Sequence, residues 1–363
     1  MSAMRVLIAA GGTGGHIYPG IAVANEVLRR DAESSIRFVG TARGLEARLV
    51  PQAGFELSLI ESTGLKNVGT LAQLRGLALL PKSLLAARRV IREFRPDIVV
   101  GAGGYVSGPV MLMAAFMRLP TLVMDSNALP GWTNRRLARV VDRAAVSFAE
   151  ALPYFRGKGV LTGNPVRAEF FEIPRKQRDH SRFSLLVFGG SQGARAINEA
   201  VVDALPHLVM QQETFYITHQ TGEADYEKVR EGYAKAGWTR HADVRKYIDD
   251  MVTSFANADL IVCRAGATTS AELVAAGKAA IMIPFPLAAD DHQRKNAEAL
   301  QSVGAARMVL QKDLTGAKLA QGILSLALNP DAITQMEGAS RNLARRDAAA
   351  ATVDLMVEMA RGN

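Results

Sequence analysis

The sequence predicts an α/β protein of two Rossmann-like domains, each a parallel β-sheet with helices on its faces. Two observations lead to this prediction. Short apolar, β-branched runs alternate with amphipathic stretches along the chain, which is typical of βαβ units with right-handed crossovers. A buried strand that runs into a Gly-Gly turn and then a helix also occurs twice, as "VLIAAGGTGGH" at 6–16 and "LLVFGGSQGAR" at 185–195.

The division between the two domains is predicted from length and from one turn. A chain of 363 residues is long enough for two cores of ordinary size. The segment "VLTGNPVR" at 160–167 interrupts regular structure, because Gly, Asn and Pro follow one another. We therefore predict an N-terminal domain over 1–163, a C-terminal domain over 164–341, and a last helix over 342–363 that packs back on the first domain.

Composition narrows the class of protein. The chain is 48% hydrophobic and 21% charged, as in folded soluble proteins, and no apolar run approaches the ~20 residues of a spanning helix. A single cysteine, Cys263, excludes an intrachain disulfide. The net charge of +8 comes from basic residues in the first half. That half has no nucleic-acid motif and few aromatic residues, so we expect anionic lipid or a pyrophosphate as its partner and no nucleic acid.

Four glycine-containing loops follow predicted strands, at 11–16, 101–109, 189–195 and 264–273. Backbone N–H groups in such loops and at helix starts attract anions, and open α/β sheets bind ligands at the carboxyl ends of their strands. A P-loop Lys-Ser/Thr and a spaced G-x-G-x-x-G are both absent from the sequence, which disfavours ATPase and NAD-binding interpretations. The residues alone predict an enzyme-like cleft with several anion loops.

Six motifs in order give this sequence a close resemblance to one family. They are "GGTGGHIYPGIAVA", "GGYVSGP", "TGNPVR", "GGSQGA", "CRAGATTSAELVAAGKAA" and "DHQRKNA". Together they resemble the MurG family of N-acetylglucosaminyltransferases. The resemblance implies the GT-B architecture, in which two Rossmann-like domains face each other across a cleft. It also implies inverting transfer of N-acetylglucosamine from UDP-N-acetylglucosamine to the 4-hydroxyl of undecaprenyl-pyrophosphoryl-muramyl-pentapeptide, the step from lipid I to lipid II in peptidoglycan synthesis.

Two residues compete for the role of general base. His16 follows the first anion loop directly, and a histidine has a pKa suited to proton abstraction near neutrality. The family usually has His-Glu-Gln-Asn where this chain has Met124-Asp125-Ser126-Asn127. Asp125 is the alternative base, or a residue that orients His16.

The resemblance implies further site residues. Donor binding is assigned to Thr13, Gly14, Gly15, Asn127, Arg167, Ser191, Gln192, Ile248, Ala267, Thr268, Thr269, Ser270, Ala271, Glu272 and Gln293. Within this set, Ser191 meets a UDP phosphate, Ile248 meets uracil and Glu272 meets the ribose hydroxyls. Acceptor binding is assigned to Gly103, Gly104, Tyr105, Ser107 and Asn134, and the loop around residues 11–16 faces the acceptor pyrophosphate. We expect neither a metal nor a cofactor.

The basic half also contains two segments suited to a membrane surface, 71–92 and 110–119, in which leucines and other apolar residues stand beside Arg and Lys. Because the resemblance implies an acceptor on an undecaprenyl tail, we expect a peripheral protein on the cytoplasmic face of the bacterial cell membrane. Two alternatives remain open at this point. One is an enzyme similar to the UDP-N-acetylglucosamine 2-epimerases, and the other is a non-catalytic nucleotide-sugar sensor, favoured by the altered stretch at 124–126.

Overall fold

A computed structural model describes residues 3–42, 44–62, 70–178, 182–190 and 192–361, with only the backbone over 70–78. The chain divides into two compact units, Met1–Val166 with Arg345–Asn363, and Arg167–Ala344. Each unit contains a parallel sheet covered by helices, which confirms the predicted fold class. The predicted assignment of acceptor to the first and donor to the second stays a prediction.

The strands of the first unit are β1 (Arg5–Ala10), β2 (Ser35–Gly40), β3 (Glu56–Leu59), β4 (Ile98–Gly103), β5 (Thr121–Asp125), β6 (Arg143–Val146) and β7 (Gly159–Leu161). Over the described residues they form one seven-stranded sheet in the order β3-β2-β1-β4-β5-β6-β7. Its helices are α1 (Gly14–Arg30), α2 (Glu46–Gln52), α3 (Thr70–Phe94), α4 (Ser107–Phe116) and α5 (Trp132–Leu137). The order changes direction at β1 and β4, so the loops after these two strands lie side by side, where α/β sheets bind ligands.

The strands of the second unit are β8 (Phe183–Phe188), β9 (Phe215–Gln220), β10 (Ala242–Arg245), β11 (Leu260–Cys263), β12 (Ala280–Met282) and β13 (Ala306–Met308). They pair in the order β10-β9-β8-β11-β12-β13, which repeats the reversal of the first unit at β8 and β11. Its helices are α6 (Arg195–Ala204), α7 (Tyr226–Lys235), α8 (Met251–Asn257), α9 (Ala267–Ala276), α10 (His292–Ser302), α11 (Gly316–Ala327) and α12 (Pro330–Asn342).

The chain ends in α13 (Ala348–Arg361), which packs on α1 within the first unit. Val353 and Met356 are fully buried there, and Arg30 binds Asp354 at 2.5 Å and the Ala350 carbonyl oxygen at 2.9 Å. The last helix therefore begins at Ala348 and not at 342 as predicted, because α12 ends at 342 and a short non-helical segment precedes α13.

The first helix also begins earlier than the sequence predicts. The pattern predicts helix from Ile17, with Pro19 in a first turn, whereas α1 begins at Gly14 and Pro19 lies inside it. Pro19 has no N–H to give the carbonyl of Gly15, so this turn lacks one helical bond. The early start places His16 in the first turn of α1, with its N–H donating to the Thr13 carbonyl at 3.1 Å.

Candidate functional site

The loop after β1 presents backbone N–H groups at the start of α1. Thr13 precedes the helix in an extended conformation and gives it no side-chain cap, and the first turn contains no acidic residue. Gly12 has φ +88, a conformation that favours glycine. The start of α1 thus has the character of an anion site, with Gly14, Gly15 and His16 half-buried in its first turn.

A buried carboxylate, Glu46 on α2, supports this loop from behind. It accepts hydrogen bonds from the Gly12 N–H at 2.9 Å, the Thr41 N–H at 2.9 Å and the Thr41 hydroxyl at 2.8 Å. Burial acts to raise the pKa of Glu46, but the bonds from backbone N–H groups outweigh it and lower that pKa below its ordinary value. Sequence reasoning missed Glu46. The available signal was the pair of glycines, Gly40 and Gly44, since a Cβ at either would overlap the Glu46 side chain.

The loop after β4 lies directly against the loop after β1. Gly103 and Gly104 have φ of +115 and +83. A Cβ at Gly103 would overlap the His16 imidazole, and one at Gly104 would overlap the Gly11 carbonyl. Residues predicted to be catalytic and acceptor-binding are thus in contact.

Two other predicted acceptor residues of this loop differ in exposure. The Tyr105 side chain is 60% exposed, whereas Ser107 is fully buried. The Ser107 hydroxyl accepts from the Gly103 N–H at 3.0 Å and lies 2.9 Å from the carbonyl oxygens of Ala9 and Gly103. Ser107 therefore holds the shape of the loop. Its hydroxyl is not presented to a ligand, which corrects the predicted role of Ser107 in acceptor binding.

The Asp125 carboxylate is enclosed at the end of β5. It is 4% exposed and accepts from the N–H groups of Asn127 at 3.0 Å and Gly131 at 3.1 Å, and from Asn134 Nδ2 at 2.9 Å. Asn134 Nδ2 also donates to the Met124 carbonyl at 3.0 Å. Burial raises the pKa of Asp125, against these hydrogen bonds.

This geometry corrects two expectations. The donors around Asp125 belong to its own loop, so the carboxylate fixes residues 125–134 and offers little surface to an acceptor hydroxyl. His16, by comparison, is half-buried in the first turn of α1. Asn134 is 7% exposed and shares the structural role of Asp125, so its amide is not placed for acceptor binding.

In the second unit, the loop between β8 and α6 repeats the first. Gly190 and Gly193 have φ of +95 and +75, and the Gly193 N–H donates to the Gly190 carbonyl at 3.0 Å. Ser191 lies outside the described residues. Gln192 is exposed, and α6 begins at Arg195 without an acidic residue in its first turn. The positive φ of these two glycines and the uncapped start of α6 are typical of an anion site.

The start of α9 gathers five of the predicted donor residues, Ala267, Thr268, Thr269, Ser270 and Ala271. Gly266 precedes the helix in an extended conformation and supplies no side-chain cap. Over the part of the chain that the structure describes, the buried hydroxyl oxygens of Thr268 and Ser270 have no hydrogen-bond partner. Unsatisfied buried hydroxyls are uncommon in folded proteins, and here they stand at the positive end of a helix.

Glu272 lies one turn further along α9, with 15% of its side chain exposed. Burial raises the pKa of this carboxyl to about 7, although Arg167, whose Nη2 lies 3.5 Å from Glu272 Oε1, acts in the opposite direction. The Arg167 side chain is 48% exposed and its guanidinium stands 4.9 Å from the centre of the Phe170 ring. A perturbed carboxyl beside an accessible arginine is a common feature of functional sites.

The segment before α10 adds two strained residues. Asp290 and Asp291 have φ of +55 and +56, which non-glycine residues rarely adopt. Gln293 Oε1 accepts from the Phe285 N–H at 3.0 Å, which fixes that side chain. Asn296 Nδ2 donates to the Ala265 carbonyl at 3.1 Å, joining α10 to the loop before α9. Within the described ranges, no group of His, Cys, Asp and Glu could hold a metal ion.

Ile248 is buried, and its N–H donates to Gln220 Oε1 at 2.8 Å. If the Ile248 backbone contacts uracil as predicted, it does so through a group other than this N–H. Gln220 is a second residue that sequence reasoning missed. Its type gave no signal, because a glutamine at the end of a strand is ordinarily solvated.

Comparisons with known proteins agree with these features. The glycosyltransferase family 28 N-terminal domain matches residues 6–146, and the glycosyltransferase family 28 C-terminal domain matches residues 184–352. A protein of Anaeromyxobacter sp. (strain Fw109-5), named UDP-N-acetylglucosamine–N-acetylmuramyl-(pentapeptide) pyrophosphoryl-undecaprenol N-acetylglucosamine transferase, is 49% identical over 360 residues, covering 99% of this chain and 94% of that protein.

Solved structures agree as well. The crystal structure of Acinetobacter baumannii MurG has a TM-score of 0.80 and 32% identity, covering 98% of this chain and 99% of that one. A UDP-GlcNAc 2-epimerase from Neisseria meningitidis has a TM-score of 0.69 at 14% identity, covering 99% of this chain and 100% of that one, and shares the fold alone.

Fold and sequence together define a glycosyltransferase of the GT-B architecture with both domains of family 28. The chain belongs to the MurG family of N-acetylglucosaminyltransferases, as its motifs indicate.

Proposed function

We propose that this chain transfers N-acetylglucosamine from UDP-N-acetylglucosamine to the 4-hydroxyl of the lipid-linked muramyl-pentapeptide, with inversion at the anomeric carbon. The observation that carries this proposal is 49% identity over nearly the whole length to a transferase named for that reaction. The reaction requires a base for the acceptor proton and stabilisation of the departing diphosphate. The two units supply groups suited to these tasks.

In the first unit, His16 is the proposed base. Its imidazole stands at the start of α1, beside the N–H groups of the loop after β1 and against Gly103. An acceptor whose pyrophosphate lies near these N–H groups would bring its sugar close to the imidazole. Glu46, Ser107 and Asp125 hold the three surrounding loops in shape through backbone hydrogen bonds. We therefore treat them as positioning residues.

In the second unit, the loop after β8 and the start of α9 are the proposed donor site. Gly190, Gly193 and the exposed Gln192 present a phosphate loop, and the first turn of α9, which has no side-chain cap, presents backbone N–H groups. These groups, with Arg167, would neutralise the departing UDP. Glu272 is placed to accept hydrogen bonds from the ribose hydroxyls. The site needs no cation, because helix dipoles and N–H groups stabilise the leaving diphosphate.

The first unit is also the proposed membrane-docking surface. Leu85 on α3 is 64% exposed, and Leu112 and Phe116 on α4 are 40% and 84% exposed. Exposed basic side chains stand near them in sequence, including Arg88, Arg89 and Arg118. Apolar side chains among basic ones suit the interface of an anionic bilayer. From these side chains we propose a peripheral association with the cytoplasmic leaflet. Among the described residues, no helix is both long and apolar enough to span a membrane.

The decisive assay incubates the protein with UDP-N-acetylglucosamine and a short-chain lipid I analogue. We expect UDP release that depends on the acceptor, together with a disaccharide product. Release of UDP-N-acetylmannosamine from the donor alone would instead indicate an epimerase. Donor binding without any turnover, with a verified acceptor, would indicate the sensor.

A further inference from the structure

The Gln220 side chain joins two backbone segments of the second unit. Gln220 ends β9 and is 1% exposed. Its Nε2 donates to the Gly190 carbonyl at 2.9 Å, and its Oε1 accepts from the Ile248 N–H at 2.8 Å. Gly190 belongs to the loop after β8, and Ile248 belongs to the segment after β10. One buried amide thus fixes both segments.

The bond to Gly190 bears on anion binding. A carbonyl oxygen directed at a phosphate would repel it. Two donors, Gln220 Nε2 and the Gly193 N–H at 3.0 Å, bind the Gly190 carbonyl. Gly190 also has φ +95, so its peptide orientation is one that few other residues would allow. Gln220 therefore stabilises the loop conformation in which this carbonyl is turned into the protein.

The strand end that carries Gln220 is itself held on both sides by Asn198 of α6. Asn198 Nδ2 donates to the Thr221 carbonyl at 2.9 Å and Asn198 Oδ1 lies 3.1 Å from His219 Nε2. Because Oδ1 can only accept, Nε2 carries the proton of the His219 imidazole. Burial lowers the pKa of His219 to about 3, so the ring stays neutral and this bond persists over the physiological pH range.

Close backbone packing connects this strand end with the loop. A Cβ at Gly193 would overlap the Thr221 carbonyl, and a Cβ at Gly222 would overlap the Gln192 carbonyl. The two segments are in van der Waals contact without room for a side chain. A shift of the strand end would therefore be transmitted to the loop.

From these contacts we propose that Gln220 is a positioning residue, which couples the diphosphate loop to the segment that meets the nucleobase. It acts through Gly190 and Ile248 and does not itself touch the donor. The proposal rests on the proposed function, since it takes the second unit as the UDP-sugar site. Its specific consequence concerns affinity: Gln220 increases the contribution of the diphosphate to binding.

The test compares UDP with uridine. Isothermal titration calorimetry gives the dissociation constant of each ligand. The ratio of the uridine constant to the UDP constant measures how much the diphosphate contributes to binding. Gln220→Met keeps the length of the side chain and loses both hydrogen bonds, so we expect the ratio to fall at least fivefold, with a raised KM for UDP-N-acetylglucosamine. Gln301→Met is the matched control, because Gln301 Oε1 also accepts a backbone N–H, that of Met308 at 2.8 Å, at the edge strand β13.

Gln220→Glu supplies a rescue and covers the case in which Gln220→Met does not fold. A protonated glutamate can donate to Gly190 and accept from Ile248, whereas the carboxylate repels the Gly190 carbonyl. Relative to wild type at the same pH, the ratio should therefore be close to one-to-one at low pH and fall as pH rises. An unchanged ratio in Gln220→Met, or a Gln220→Glu ratio equal to the wild-type ratio at every pH, would overturn the coupling alone. Wild-type protein that bound neither UDP nor uridine would overturn the proposed donor site as well.

Discussion

The His16 imidazole lies against the Cα of Gly103, so closely that a single methyl group at Gly103 would overlap the ring. The contact joins the first turn of α1 to the end of β4, at the point where the strand order of the sheet changes direction. Gly103 also has φ +115, which only glycine adopts readily. The position of the proposed base thus depends on a neighbouring residue that has no side chain.

Gly103→Ala is expected to displace the imidazole and lower kcat by about 100-fold, because a misplaced catalytic group loses most of its effect. Donor affinity should change little. Gly54→Ala is the matched control, since Gly54 has φ +83 but a Cβ there would meet nothing within 4 Å. The two variants share backbone strain, so steady-state kinetics separate strain from displacement of His16. Equal kcat losses in both would contradict the role of this contact.

Glu46→Gln is expected to destabilise the protein by roughly 1–3 kcal/mol at neutral pH, because the carboxylate accepts from several backbone and hydroxyl donors. The folded-state pKa of Glu46 is lowered, so its contribution exists above the ordinary glutamate pKa and is lost as pH falls. Urea unfolding at several pH values should show the wild-type advantage shrinking in acid. Glu56→Gln, at a side chain 72% exposed, should cost only a few tenths of a kcal/mol.

Donor affinity should depend on pH through Glu272. Burial raises its pKa to about 7, and a carboxylate that accepts from the ribose hydroxyls binds best when ionised. The dissociation constant of UDP should therefore fall as pH rises through about 7 and then level off. Glu272→Gln should bind UDP more weakly and show no change of affinity near pH 7. Glu199 is an exposed partner of Lys228, so Glu199→Gln should keep the wild-type pH dependence. A pH-independent wild-type affinity between pH 6 and 8 would argue against the ribose contact.

The same carboxyl has an opposite effect on folding. A folded-state pKa raised to about 7 means that ionising Glu272 costs stability, and the cost grows as pH rises from about 4.5 to about 7. In the absence of donor, Glu272→Gln should therefore be more stable than wild type at pH 8, by on the order of 2 kcal/mol, and not at pH 4. Thermal unfolding of wild type and Glu272→Gln at the two pH values measures this difference. The change seen in the control Glu199→Gln at each pH is subtracted from it.

Membrane docking predicts binding to anionic vesicles that weakens as salt concentration rises. Phe116→Ser removes an apolar side chain that is 84% exposed, and should weaken vesicle binding several-fold with little effect on folding. Met210→Ser in the second unit is a suitable control, because Met210 is 87% exposed there. Vesicle sedimentation measures both. Equal losses of vesicle binding in the two variants, or vesicle binding that does not change with salt concentration, would contradict the proposed surface.

Much of the fold was predictable because its signals are local. The alternation of strands and helices, with the repeated strand-turn-helix, predicted both sheets. His16 directly follows the first glycine-rich loop in the sequence, so its position beside that loop was predictable as well. The supporting contacts were not predictable in the same way. Glu46 bonds to Gly12, which is 34 positions away, and Gln220 bonds to Gly190, which is 30 away. Such pairs follow from the tertiary structure and leave no periodic pattern.

Asp125 shows what residue type alone leaves open. An aspartate after a strand fits a catalytic base as well as a turn, and the observed donors, Asn127, Gly131 and Asn134, favour the role in the turn. Ser107 is a similar case, because its hydroxyl bonds the loop that it was expected to present to a ligand.

The most direct test of the account is acceptor-dependent UDP release by His16→Ala compared with wild type. We expect turnover to fall by about 10²–10⁴-fold, the usual contribution of a general base, while the affinity for UDP-N-acetylglucosamine stays within about twofold. Asp125→Asn should instead lower the free energy of unfolding, because the loop it anchors loses a charged acceptor. Near-wild-type turnover in His16→Ala, with turnover abolished in a stably folded Asp125→Asn, would contradict the account.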